Sequence, residues 1–242
     1  MKIDRTIVIQ KLKERLESIK DVNALWLEGA DSLDTVDEFS DIDIWVDVND
    51  GKENETIEVI KGTLSELGEL DFYHETEHPH PKIRQFFFHI EGTSKFLIID
   101  LCIQSNSREF WFTEGMNGEK SKTIFDKNNV ITIKPMDETK FNQELSDRRS
   151  YLLKEYQIKK VDTEKEIARN DYLGALNFYI SLNSIFTELM RIKYCPTKHE
   201  FGLKHAKRDF PKDIRPSIES IYQFKSIDDI KANIKIMDAT EK

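Results

Sequence analysis

The chain has 242 residues, enough to bury a full hydrophobic core in one domain or two. Charged residues make up 33% and aromatics 10%, the composition of an ordinary folded protein rather than a disordered or fibrous one. The net charge of −9 argues against a protein whose main business is gripping nucleic acid, because phosphate contacts need an excess of Lys and Arg, and it suits a cationic or neutral partner.

In chain order, Asp4 can cap a first helix in which Ile9, Leu12, Leu16 and Ile19 recur at spacings of three and four, an apolar stripe. A strand is predicted over Ala24–Glu28, ending at Gly29, and the polar stretch Ala30–Ser40 returns the chain to a second strand over Ile42–Val48. Side chains alternate along a strand, so Asp41 and Asp43 share one side while Ile42, Ile44 and Val46 turn to the opposite, buried one. Two carboxylates side by side repel unless a cation sits between them, and hard oxygen ligands favour Mg²⁺ or Mn²⁺ over zinc. A glycine at the strand end, Gly29, lets backbone N–H groups come close to a phosphate.

A second helix is predicted over Thr56–Leu67, with Ile57, Ile60, Leu64 and Leu67 on one face and Gly68 as its stop. Strands follow at Leu70–His74, Ile83–Ile90 and Phe96–Ile103, the last two joined as a hairpin through Glu91-Gly92-Thr93-Ser94. Within the last strand Asp100 interrupts an apolar run, where an ionised carboxylate is costly unless it faces a ligand or a cation. From Asn106 to Pro135 the sequence reads as irregular, and from Met136 onward helical periodicity dominates, with Phe141, Leu145 and Leu152 on one helix and Leu176, Tyr179, Ile180, Asn183, Phe186 and Met190 on another. The expected fold is therefore an α/β (α+β) domain with a mixed β-sheet over residues 1–135, followed by an all-α helical bundle over 136–242.

Cys102 and Cys195 lie in unlike contexts and define no disulfide framework. No apolar run approaches the length of a membrane span or a signal segment, so a cytoplasmic protein with no membrane partner is expected. His74, His78, His80 and His89 match no closed zinc spacing, and His78-Pro79-His80-Pro81 reads as a loop. The basic stretch Lys198, His199, Lys204, His205, Lys207 and Arg208 reads as a solvated helix face.

The order strand, Gly29, polar connection, Ser40-Asp41-Ile42-Asp43 resembles the nucleotidyltransferase superfamily that includes DNA polymerase beta. One position departs, since the family's serine after the glycine is Ala30 here; whether the nearby Ser32 replaces the missing hydroxyl is open. Together with Asp37-Glu38-Phe39-Ser40-Asp41, the segments Thr123–Lys127 and Glu188–Arg191 and the later Lys198 make the chain similar to bacterial aminoglycoside adenylyltransferases, especially the streptomycin 6-adenylyltransferase type.

That resemblance implies a nucleotidyltransferase fold for the first half and a substrate cleft between sheet and bundle. It implies transfer of NMP, from ATP or another NTP, to a hydroxyl of a small molecule such as an aminoglycoside, with release of pyrophosphate. Asp41, Asp43 and Asp100 would be the catalytic, metal-holding carboxylates for two Mg²⁺ ions about 3.5–4 Å apart, with Mn²⁺ as the alternative. Gly29, Ala30, Ser40 and Lys198 would line the nucleotide. The general base is open among Asp100, Glu91, Asp171 and Glu188, and Glu188 with Arg191 reads equally well as an ion pair within one helix. Two other readings stand beside this one: a protein side chain as acceptor, as in the minimal nucleotidyltransferase antitoxins, and a non-catalytic nucleotide-binding module, which Ala30 supports.

Overall fold

The computed structural model describes residues 3–116 and 120–241. The chain separates into two compact units, Met1–Pro135 and Met136–Lys242.

The first unit opens with helix α1 (Arg5–Glu17), whose N-terminus is capped by the Asp4 carboxylate accepting from the Ile7 N–H at 3.0 Å. Val8, Leu12 and Leu16 form its buried stripe; Ile9 is only partly covered, so the stripe is centred one residue earlier than the periodicity suggests. There follow β1 (Val22–Leu27), a single-turn helix α2 (Gly29–Ser32), β2 (Ile42–Val48), α3 (Glu53–Ser65), β3 (Leu70–Thr76), β4 (Ile83–Ile90) and β5 (Ile99–Ser105). Helix α3 begins earlier than expected, with Glu53 and Glu55 in a first turn that favours negative charge, and it ends at Ser65, ahead of Gly68. Gly68 serves packing instead, since a Cβ there would lie 2.8 Å from Ile90 Cγ2.

The stretch expected to be irregular contains β6 (Phe112–Thr113), β7 (Lys122–Asp126) and β8 (Ile133–Lys134). Strand β7 joins the main sheet, whose order is β3-β4-β5-β2-β1-β7, while β6 and β8 form a separate two-stranded ladder. Strands β2 and β5 are parallel and the other pairs in the main sheet antiparallel, so the sheet is mixed; β4 and β5 form the predicted hairpin.

The two faces of this sheet differ sharply, as period-two alternation requires. On one, Ile42, Ile44, Val46 and Val48 of β2 join Phe86, Phe88, Leu101 and Ile103 against Leu12 and Leu16 of α1 and Ile57, Ile60 and Leu64 of α3, forming a continuous apolar core. The opposite face carries Asp43, Trp45 and Asp47 on β2, and Asp100, Cys102 and Gln104 on β5. Here Phe110 and Phe112 close over Trp26, which stacks on Trp45 at 5.8 Å between ring centroids and on Phe110 at 5.6 Å. Beyond these rings Asp47 is buried but fully served, accepting from Asn23 at 2.9 Å, Gln104 at 2.8 Å and Asn106 at 3.0 Å. What remains of this face is its Asp43 end.

The second unit is helical: α4 (Glu138–Ala168), α5 (Tyr172–Tyr194), a 3₁₀ turn (Pro196–Phe201), α6 (Ala206–Asp209), α7 (Arg215–Ile221) and α8 (Ile227–Glu241). Asp137 caps α4 and Asp171 caps α5, each accepting a backbone N–H at 3.0 Å. The core is built on Leu152, Tyr156, Tyr179, Leu182, Phe186 and Met190 with Ile218, Ile230 and Met237; Ile180, expected on the buried stripe, is 58% exposed because the stripe of α5 runs through Ala175, Tyr179, Leu182 and Phe186. Among the described residues no helix is long and apolar enough to cross a membrane.

Candidate functional site

Strand pairing brings the sequence-predicted carboxylates together from distant parts of the chain. Asp43 on β2 stands directly opposite Asp100 on β5 in the parallel ladder, and neighbouring strands lie about 4.8 Å apart. Both are half-buried on the polar face. Asp41, exposed and one residue ahead of β2, is on the same side by alternation. Among the described residues no group of three or more His, Cys, Asp and Glu is gathered closely enough to hold a metal ion, so the arrangement consists of an in-register pair with Asp41 at its mouth.

A further carboxylate extends the row. The β1–β2 register places Trp26 opposite Trp45 and Leu27 opposite Ile44, and the Glu28 N–H donates to the Asp43 carbonyl at 3.0 Å, so Glu28, Asp43 and Asp100 succeed one another across three strands. The Trp26 indole N–H holds the Glu28 carboxylate at 2.9 Å. Burial first, then the charges of Asp100, Glu28 and Asp43, push the neighbouring Cys102 thiol far above its ordinary range, which makes it an inert, protonated core group. Arg108 offsets some of this negative field. It lies over the Phe110 ring at 4.7 Å and the Trp45 ring at 5.7 Å; burial lowers its pKa, while Glu28 opposes the shift. Sequence reasoning missed Glu28; the available signal was a charged residue closing an otherwise apolar strand.

Gly29 is fixed in place by geometry rather than by propensity. Its φ is +55°, and a Cβ built on it would lie 1.8 Å from Asp43 Oδ2 and 2.8 Å from Asp43 Cγ. The backbone of the β1–α2 turn therefore touches the Asp43 carboxylate, an approach that no other residue permits. Ala30 follows in α2 with its carbonyl accepting from the Thr35 N–H at 3.0 Å, and the Ser32 hydroxyl donates to the Gly29 carbonyl at 2.9 Å. Ser40 closes the connecting loop: its hydroxyl donates to Asp37 at 2.8 Å and accepts from the Asp37 N–H at 3.0 Å, and this hydroxyl is the main reason the Asp37 carboxyl sits below the usual carboxylate range.

Arg5, also missed, ties these parts together. Its guanidinium pairs with the Asp31 carboxylate in α2 and donates to the carbonyls of Ser40 at 2.6 Å and Asp41 at 2.5 Å. Burial pushes the Asp31 pKa up, against the pull of Arg5 and Lys122. One cation on α1 thus holds both the turn bearing Gly29 and the lead-in bearing Asp41.

Other sequence candidates have local partners. The Lys198 ammonium is held by Asp209 at 2.7 Å, and Asp209 is shared with the fully buried Arg191 at 3.3 Å and Arg208 at 3.1 Å. Lys198 is therefore tied into an ion cluster, while Lys204, His205, Lys207 and Arg208 are exposed, as a solvated face requires. Glu188 pairs with Arg148 at 2.6 and 2.9 Å rather than with Arg191, so the expected ion pair within one helix does not form. Asp171 is a helix cap, as described, and Glu91 lies exposed on the β4–β5 hairpin. His89 bonds Asp71 at 2.6 Å; burial lowers its pKa, but that bond and the Ser94 carbonyl raise it more. His78 and His80 accept backbone N–H groups within their own loop.

The fold and this row together define a mixed-sheet domain with a glycine turn packed on paired carboxylates. No protein-family model matches the chain, and no curated protein matches it either. Among solved structures the chain is similar to a spectinomycin adenyltransferase from Enterococcus faecialis, solved with ATP and spectinomycin, at 12% identity over 99% of this chain and 100% of that one, with a TM-score of 0.37. A likeness of that size carries no weight for function.

Proposed function

We propose that the protein is a metal-dependent nucleotidyltransferase that moves NMP, from ATP, onto a hydroxyl of a cationic small molecule of the aminoglycoside kind and releases pyrophosphate. The observation that carries this reading is the Asp43–Asp100 pair in register on adjacent parallel strands, with the Gly29 backbone pressed against Asp43. Hard oxygen donors suit Mg²⁺ or Mn²⁺. The Asp43–Asp100 pair would hold such an ion, with Asp41 at the mouth of the site as the further carboxylate, and the metal, when bound, would supply positive charge to the phosphate oxygens.

The chain's own contribution is placement. The Gly29–Ala30 backbone borders Asp43, so a polyphosphate lying along the turn reaches the same carboxylates without a side chain in the way. The acceptor oxygen attacks the α-phosphorus in line; an O–P bond forms, the bond to the pyrophosphate oxygen breaks, and the acceptor proton passes to a carboxylate of the row. The net charge of −9 draws a cationic acceptor.

Incubation with α-labelled ATP, Mg²⁺ and a panel of aminoglycosides tests the reading: label is expected on a small molecule. Label on protein alone would point to a protein acceptor, and ATP binding without transfer to a binding module. Replacement of Asp43 by Asn should reduce transfer by about 10³-fold or more, and full activity in that variant would refute the reading.

A further inference from the structure

Gln85 reaches the carboxylate row from β4, on the side of β5 away from β2. It lies on β4 opposite Cys102, one step diagonal to Asp100, which itself stands opposite Phe87. Diagonal neighbours on one sheet face lie about 7–8 Å apart, within reach of a long side chain such as glutamine. The Gln85 side-chain N–H₂ donates to both oxygens of Asp100, at 2.8 Å to Oδ1 and 3.0 Å to Oδ2.

We propose that Gln85 is the positioning residue for Asp100, holding its carboxylate plane towards Asp43 so that the pair can share a divalent cation. This deepens the metal-dependent reading above and rests on it.

Three features support the assignment. A donor centred on both oxygens fixes the rotation of the carboxylate, which a bond to one oxygen leaves free. A carboxylate oxygen carries two lone pairs, so accepting from an amide does not by itself use up its capacity for a cation. The donor is also neutral: a Lys or Arg in its place would orient Asp100 equally well but cancel the charge that attracts the metal, whereas an amide orients without neutralising. Gln85 and Asp100 are both half-buried, where such a bond is screened less than in open water.

The test uses the full chain and Mn²⁺ alone, with binding followed by electron paramagnetic resonance in the absence of nucleotide. Gln85→Met keeps the length of the side chain and removes the donor, and Gln85→Thr serves as a second variant suited to a strand should the first fail to fold, with folding checked by circular dichroism. Loss of an orienting partner of a metal ligand typically weakens binding about 10–100-fold, and that is the expected result. In an Asp100→Asn background the same change at Gln85 should weaken Mn²⁺ binding no further, because its effect runs through Asp100; a residue that only stabilised the sheet would give additive losses. Folded Gln85 variants that bind Mn²⁺ like the parent, or losses additive with Asp100→Asn, would overturn the positioning role and leave the metal site standing. A parent chain that binds no Mn²⁺ would overturn the metal reading itself, and this role with it.

Discussion

Replacing Gly29 by Ala separates backbone strain from damage to the site. At φ +55° an alanine pays the left-handed penalty, about 1–2 kcal/mol. Its Cβ would also lie 1.8 Å from Asp43 Oδ2 and 2.8 Å from Asp43 Cγ, too close for either to stay, so the Asp43 carboxylate must swing off its rotamer at a further cost of about 0.5–1.5 kcal/mol. The sum, about 1.5–3.5 kcal/mol, should lower the melting temperature by about 3–14 °C in a chain of this size. Transfer should fall further than the stability loss explains, by at least about 10²-fold, since a catalytic group displaced by an ångström costs that much. Gly51 supplies the control: its φ is +81°, yet a Cβ there meets nothing within 4 Å, so Gly51→Ala carries the strain without the collision. Melting by circular dichroism and transfer of label from ATP, measured on both variants below their transitions, give the comparison. If Gly29→Ala keeps the activity of Gly51→Ala, the contact between the turn and Asp43 has no functional weight and the reasoning fails.

Arg5→Ala should cost about 3 kcal/mol by leaving Asp31 buried without its partner. Because the folded Asp31 pKa lies above its unfolded value, the folded state binds a proton more readily, so this deficit should shrink as pH falls from neutral towards the carboxylate range; melting curves across pH read it out. In the helical unit, Asp209→Asn should cost about 3–5 kcal/mol, since it strands the charge of Arg191, whose side chain is 0% exposed. Burial raises the Asp209 pKa, but Lys198, Arg208 and Arg191 lower it more, so its contribution is present above the unfolded pKa and lost as pH falls through the folded one; the gap between variant and parent should close in acid. Lys198→Ala should lower the melting temperature and leave the KM for ATP unchanged, because its ammonium is engaged by Asp209; a raised KM would return it to the nucleotide.

Much of the first unit was legible because its signals are local. A cap at Asp4, apolar spacings of three and four, and alternation along Ile42–Val48 each act within a turn of helix or a few residues of strand, and they put Asp43 on the polar face before any tertiary contact is known. Strands β6 and β8 escaped because two residues carry no periodicity, and β7 because its place beside β1 depends on a partner about a hundred residues away. The bundle was legible in its helices but not in its ion pairs. Spacing alone matched Glu188 with Arg191, whereas the fold gave each a partner elsewhere, Arg148 and Asp209.

Local sequence was enough to show the chemistry available: paired aspartates on one side of a strand, a lone aspartate in an apolar run, and a glycine at a strand end. Which of these meet follows from strand pairing. Register set Asp43 against Asp100, added Glu28 to the row, placed Gln85 on Asp100, and pressed the Gly29 backbone onto Asp43. The reason is that alternation, a property of one strand, fixes the face a side chain takes, while the neighbours it finds there depend on pairing between strands far apart in the chain, which local sequence does not encode.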